Sequence, residues 1–145
     1  MDREQIADLF MRGQDCGQVV LSHYADRVGI SADDANRISS AFGGGSGVGG
    51  TCGAVVGAMI VLGCFYGHKG PDDMEQRELM MSKRAEFMEK WKEKRESSEC
   101  KDLLGHDIGT PEGLQAILDA GLLFEFCPGL VSDAIEILDK MLEQA

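Results

Sequence analysis

Apolar residues along this chain recur every three or four positions, and glycines cut the pattern into segments. Ile6, Leu9 and Phe10 mark a short first helix that Gly13 ends. Val19, Val20, Tyr24 and Val28 mark a second, running from Cys16 to a stop at Gly29 with Asp15 as its N-cap. Ser31 with Asp34 resembles a capping box with a shortened acid, and Ala35, Ile38 and Phe42 carry a third helix to Gly43. Gly43 to Gly50 reads GGGSGVGG, a loop whose backbone can take positive φ and approach other groups closely. Thr51 offers a capping hydroxyl, and Cys52 opens an apolar fourth helix. On that helix Gly53 and Gly57, with Ala54 and Ala58 beside them, form a face that another helix can approach. Packing within the chain is the simpler use of this face, and a homodimer contact is the other.

After Gly67 and the Gly70-Pro71 break, Asp72 to Glu96 mixes charges, with Met74, Leu79, Met80, Phe87, Met88 and Trp91 as its packing positions. This reads as a long, largely solvated helix. Ser97 or Ser98 caps a short helix carrying Cys100, Leu103 and Leu104. Thr110-Pro111-Glu112 pairs a capping side chain with proline at the first helical position, and Leu114, Ile117, Leu118 and Leu122 follow as an apolar stripe. Cys127-Pro128 leads into an amphipathic terminal helix through Leu142. No segment sustains apolar and polar alternation, so the expectation is an all-α fold. It is a compact bundle of six or seven helices with a glycine-rich loop, in one domain over 1–145.

Composition narrows the function. The chain is 43% hydrophobic and 27% charged, which argues against disorder, and 145 residues can bury a core without disulfide staples. Its formal net charge of −11 argues against nucleic acid and anionic membrane surfaces as partners. Ala54 to Tyr66 is shorter than the roughly 18 to 20 residues that cross a bilayer, so no membrane insertion is expected. The charged start, Met1 to Gln5, lacks a signal-peptide pattern, and a cytoplasmic location is the default expectation. In a reducing compartment, cysteines serve metals, catalysis or the core more often than structural disulfides.

Four of the five cysteines, Cys16, Cys52, Cys100 and Cys127, fall at helix starts, where backbone N–H groups and the helix dipole lower a thiol pKa. Cys64 lies mid-helix among Val61, Leu62 and Phe65 and reads as core. There is no C-x-x-C pair, so any shared site is built by the fold. His23 lies about 10 Å along the helix from Cys16, too far to share a metal with it. His68 and His106 fall in predicted turns, and Met80, Met81 and Met88 follow helical spacing, which is the mark of packing. The glycine loop matches G-x-G-x-x-G at Gly45, Gly47 and Gly50, but a helix precedes it where a dinucleotide fold needs a strand. Bare backbone N–H groups at Gly50, Thr51 and Gly53 suit an anion, a sulfur or a cluster beside Cys52 instead.

Phe42-Gly43-Gly44-Gly45 and Gly49-Gly50-Thr51-Cys52-Gly53-Ala54-Val55-Val56-Gly57-Ala58 resemble the signature of the C_GCAxxG_C_C family of putative redox-active proteins. Cys16, Cys100 with Leu103-Leu104-Gly105, Thr110-Pro111-Glu112-Gly113 and Cys127-Pro128 follow in the same order, so the resemblance covers nearly the whole chain. The family is similar to a domain of split-Soret cytochromes, for which an iron–sulfur or non-haem iron centre has been proposed, and its members are typical of anaerobes, often near transporter genes. The resemblance implies one redox site at Cys16, Cys52, Cys100 and Cys127 and no role for Cys64. C-x-x-C-H is absent, so covalent haem is not implied. The four thiols would hold an iron–sulfur cluster or another metal, or cycle between dithiol and disulfide. Two further readings are an accessory module for a transporter component or redox partner protein, and a zinc-stabilised structural domain.

Overall fold

In the computed structural model, which describes residues 1–143, the chain is all-α. Ten helices follow in order: α1 Arg3–Met11, α2 Cys16–His23, α3 Ala25–Val28, α4 Ala32–Ile38, α5 Gly53–Tyr66, α6 Met74–Lys94, α7 Cys100–Leu104, α8 Pro111–Asp119, α9 Leu122–Glu125 and α10 Cys127–Leu142. Between α4 and α5 a tight glycine turn spans Gly45–Gly49. The sequence count of six or seven matches the seven helices of seven or more residues. The remainder are single turns.

Local chemistry accounts for most of the boundaries. The Ser31 hydroxyl accepts the Asp34 N–H at 3.0 Å, and the Thr110 hydroxyl accepts that of Gly113 at 3.0 Å ahead of Pro111. Gly29 takes φ +82° and closes α3. Two expected helices are shorter than periodicity suggests. The second breaks at Tyr24, whose hydroxyl donates toward the Asp139 carboxylate (2.6 Å) and the Ile135 carbonyl (3.1 Å) on α10. The third stops at Ile38, which is half exposed, so Phe42 lies beyond any helix. Thr51 does not cap α5. Cys52 itself is the N-cap residue, while Thr51 is exposed beside Glu99.

The main core gathers α2, α5 and α10 with the buried end of α6. Phe87 and Trp91 are fully buried there, whereas Met74 and Leu79 stand in solvent, contrary to the packing expected of them. The small-residue face of α5 meets α2 within the chain: a Cβ on Gly57 would lie 2.9 Å from the Gly17 carbonyl oxygen, and one on Gly17 3.0 Å from that of Gly53. A second, smaller core holds Cys100, Leu104 and Ile117. Leu114 and Leu118 of the expected stripe are exposed, leaving Ile117 as its buried member. Among the described residues, no single helix is long and apolar enough to cross a membrane; the bent pair α8 with α9–α10 reaches that length and composition only together.

Candidate redox site

The ends of the helices bring four cysteines to one cavity. Cys16 begins α2, Cys52 caps α5, Cys100 begins α7 and Cys127 begins α10, and all four line a cavity of about 450 Å³. Cys64 does not line it; it lies exposed on α5, not in the core as its apolar neighbours suggest.

Each cysteine is held by a distinct device. The Cys52 N–H donates to the Ser98 carbonyl at 2.7 Å, and the Cys100 N–H donates to the Gly50 carbonyl at 2.6 Å, forming an antiparallel bridge between Thr51 and Glu99. The buried Trp91 indole N–H donates to the Ser97 carbonyl at 2.9 Å and so fixes the strand-like segment that makes this bridge. The Arg95 guanidinium pairs with Asp133 at 2.6 Å and lies over the Phe126 ring, which holds the start of α10 and with it Cys127. Cys16 is set by the close α2–α5 crossing: its Sγ occupies the space that a Cβ on Gly53 would need. Of the glycine-loop groups expected to contact an occupant, Gly53 lines the cavity. Gly50 and Thr51 do not, because the Gly50 carbonyl serves the bridge and Thr51 faces solvent.

Burial sets the thiol chemistry more strongly than the helix starts do. The neighbouring Cys16 thiol, and after it the backbone N–H groups of Ala54 and Val55, favour the Cys52 thiolate, so the Cys52 pKa is lowered. Cys16, paired with Cys52 and buried, is raised well above its ordinary value. Burial, with the other thiols adding to it, pushes Cys100 up to about 11 and Cys127 up to about 12. The expected lowering therefore holds only at Cys52, where the Cys16 thiol and two backbone amides favour the thiolate. At Cys100 and Cys127 loss of solvent outweighs the dipole, and at Cys16 the pairing with Cys52 does so first, with burial adding to it.

The sequence reading missed several residues of this site. Asp15, read only as a cap, lines the cavity with its carboxyl raised by burial, and a Cβ on Gly43 would strike it. Phe10, Ile108, Leu123 and Phe124 make the wall apolar. None of the three histidines lines the cavity. Among the described residues, no three Cys, His, Asp or Glu are gathered closely enough to hold a single metal ion.

The family profile described as putative redox-active protein (C_GCAxxG_C_C) matches residues 14–141. The chain belongs to the C_GCAxxG_C_C family. The matched span contains all four cavity cysteines and the whole glycine turn, so in this C_GCAxxG_C_C protein the region the family shares is the region that builds the cavity. No curated protein and no solved structure matches the chain.

Proposed function

We propose that Cys16, Cys52, Cys100 and Cys127 form one redox centre and that its occupant is an iron–sulfur cluster. The observation that carries this reading is the shared cavity, which collects four cysteines separated by 36, 48 and 27 residues and leaves Cys64 outside. The donor set suits the group: four soft thiols and no histidine, in a wall whose apolar side chains, Phe10, Ile108, Leu123 and Phe124 among them, outnumber the polar ones of Gln14, Asp15, Ser40 and Ser46. When bound, a cluster would supply one-electron transfer. The protein's own part is to position the sulfurs and to stabilise negative charge through the Ala54 and Val55 amides at Cys52.

Anaerobic purification tests the reading. The wild-type protein should carry iron and acid-labile sulfide with visible absorption that dithionite bleaches. Serine at any of the four positions should remove most of it, and Cys64→Ser should leave it intact. Colourless, metal-free protein with two reducible disulfides would instead support a dithiol centre. One feature favours that second reading: Cys16 and Cys52 are neighbours in the cavity, and each thiol shifts the pKa of the other. There, two electrons and two protons would pass from the pair to a partner's disulfide, reducing it to a dithiol as the Cys16–Cys52 disulfide forms.

A further inference from the structure

The cavity opens beside an apolar collar drawn from three segments. Val48, in the glycine turn, is 69% exposed; Phe124 on α9 lines the cavity and is still 42% exposed. Ile108 also lines it and packs against Gly44, and a Cβ on the following Gly109 would lie 3.2 Å from Cα of Val48. Leu114 and Leu118, one turn apart on α8, add further exposed apolar surface.

The segment that supplies Ile108 and Phe124 is one-sided in charge, and it brings the Asp107 carboxylate beside Gly49, next to Val48. Residues 99–125 carry six carboxylates, on Glu99, Asp102, Asp107, Glu112, Asp119 and Glu125, against the single cation Lys101. None of the six takes part in an ion pair among the described residues. The six Lys and Arg of α6 lie on a helix that packs against α5 and α10 instead.

We propose that this collar is the docking surface for a basic electron-carrier protein. The carrier would meet Val48, Ile108 and Phe124 through an apolar contact and the carboxylates of the 99–125 segment through Lys and Arg. An apolar centre within a charged rim is the general anatomy of a protein interface, and unpaired carboxylates of one sign steer a cationic partner toward it. A second copy of this chain fits less well, because the same acidic segment would face it. The electron-carrier part of the proposal rests on the redox reading of the cysteines: one electron leaves the reduced centre and enters the oxidised carrier, with no bond made or broken.

Cytochrome c, a small basic carrier, serves as the probe. Added to ¹⁵N-labelled metal-free protein, it should shift amides in residues 46–49 and 107–125, and binding should weaken about tenfold between about 20 mM and about 300 mM NaCl. The E112K/D119K/E125K variant should bind about tenfold more weakly at low salt and lose most of the salt dependence. Phe124→Ser should weaken binding at both salt concentrations alike. Shifts centred elsewhere, salt-independent binding, or unchanged binding by both variants would overturn the docking face. So would dimerisation through the same residues seen by sedimentation. Electron transfer from dithionite-reduced, iron–sulfur-reconstituted protein separates the two ideas. Binding without transfer would sink the redox reading, whereas transfer to ferricyanide without cytochrome c binding would sink the docking face alone.

Discussion

Cys100 and Cys127 stand in the first turns of α7 and α10, and burial nevertheless holds both as neutral thiols, with pKa values pushed up to about 11 and about 12. Unfolding returns each thiol to its ordinary value near 9. Below that value both states are protonated and the stability contribution is complete. Above it the unfolded chain sheds protons that the folded chain keeps, so stability falls as pH rises through 11 and 12, by about 1.4 kcal/mol per pH unit for each thiol held neutral. Thermal melts of the reduced, metal-free protein between about pH 8 and about pH 10.5 should show this decline, and Cys100→Ala with Cys127→Ala should make it shallower, leaving the part due to Cys16 and Tyr24. Tyr24, whose pKa is also raised by burial, adds to the slope, and Tyr24→Phe isolates its part. The same thiols must lose protons to bind metal. Cluster uptake by metal-free protein should therefore increase from about pH 6.5 to about pH 8.5, as followed by visible absorption.

At the scale of elements, two glycines of α5 separate packing from propensity. Gly53→Ala places a Cβ against Cys16 Sγ and 2.8 Å from the Phe42 carbonyl oxygen, and should cost about 1 to 3 kcal/mol and impair metal binding. Gly63, on the same helix, has nothing within 4 Å of a Cβ, so Gly63→Ala should stabilise by about 0.5 to 1 kcal/mol. Denaturant titrations of both variants check the pair. This contrast also marks what was legible in the sequence. Starts made by local chemistry, at Ser31, at Thr110-Pro111 and at Asp15 ahead of Cys16, were readable because the capping partners lie within a few residues; the starts at Cys52, Cys100 and Cys127 have no side-chain cap. The break at Tyr24 was not readable, since its hydroxyl answers to Ile135 and Asp139, 111 and 115 residues away. Leu114 and Leu118 follow helical spacing as faithfully as Ile117, and only the tertiary arrangement leaves them in solvent.

For the whole molecule, the four cysteines bridge two cores of unequal size. Cys52 belongs to the main core, with Cys16 packed against it, Cys100 belongs to the small core, and Cys127 packs against both. Spacing alone could not reveal this meeting, because it depends on the α2–α5 crossing and on the Thr51–Glu99 bridge. The small core buries few side chains, so amides of α7 and α8 should exchange hydrogen faster than those of α5 and α10 in metal-free protein. Cluster loading should slow α7 in particular, since a ligand bound across both cores stabilises the state in which they are joined. Equal protection in loaded and metal-free protein would count against a shared occupant.

The bridge that aligns Cys52 with Cys100 joins positions 48 residues apart, and the cavity is closed only by Cys127, near the other end of the chain from Cys16. Contacts of such separation form late in folding, because loop closure must precede them. A chain still emerging from the ribosome thus offers separate thiols rather than a site. On the proposed cluster reading, iron and sulfide would therefore be delivered after synthesis, to the folded protein rather than to the nascent chain.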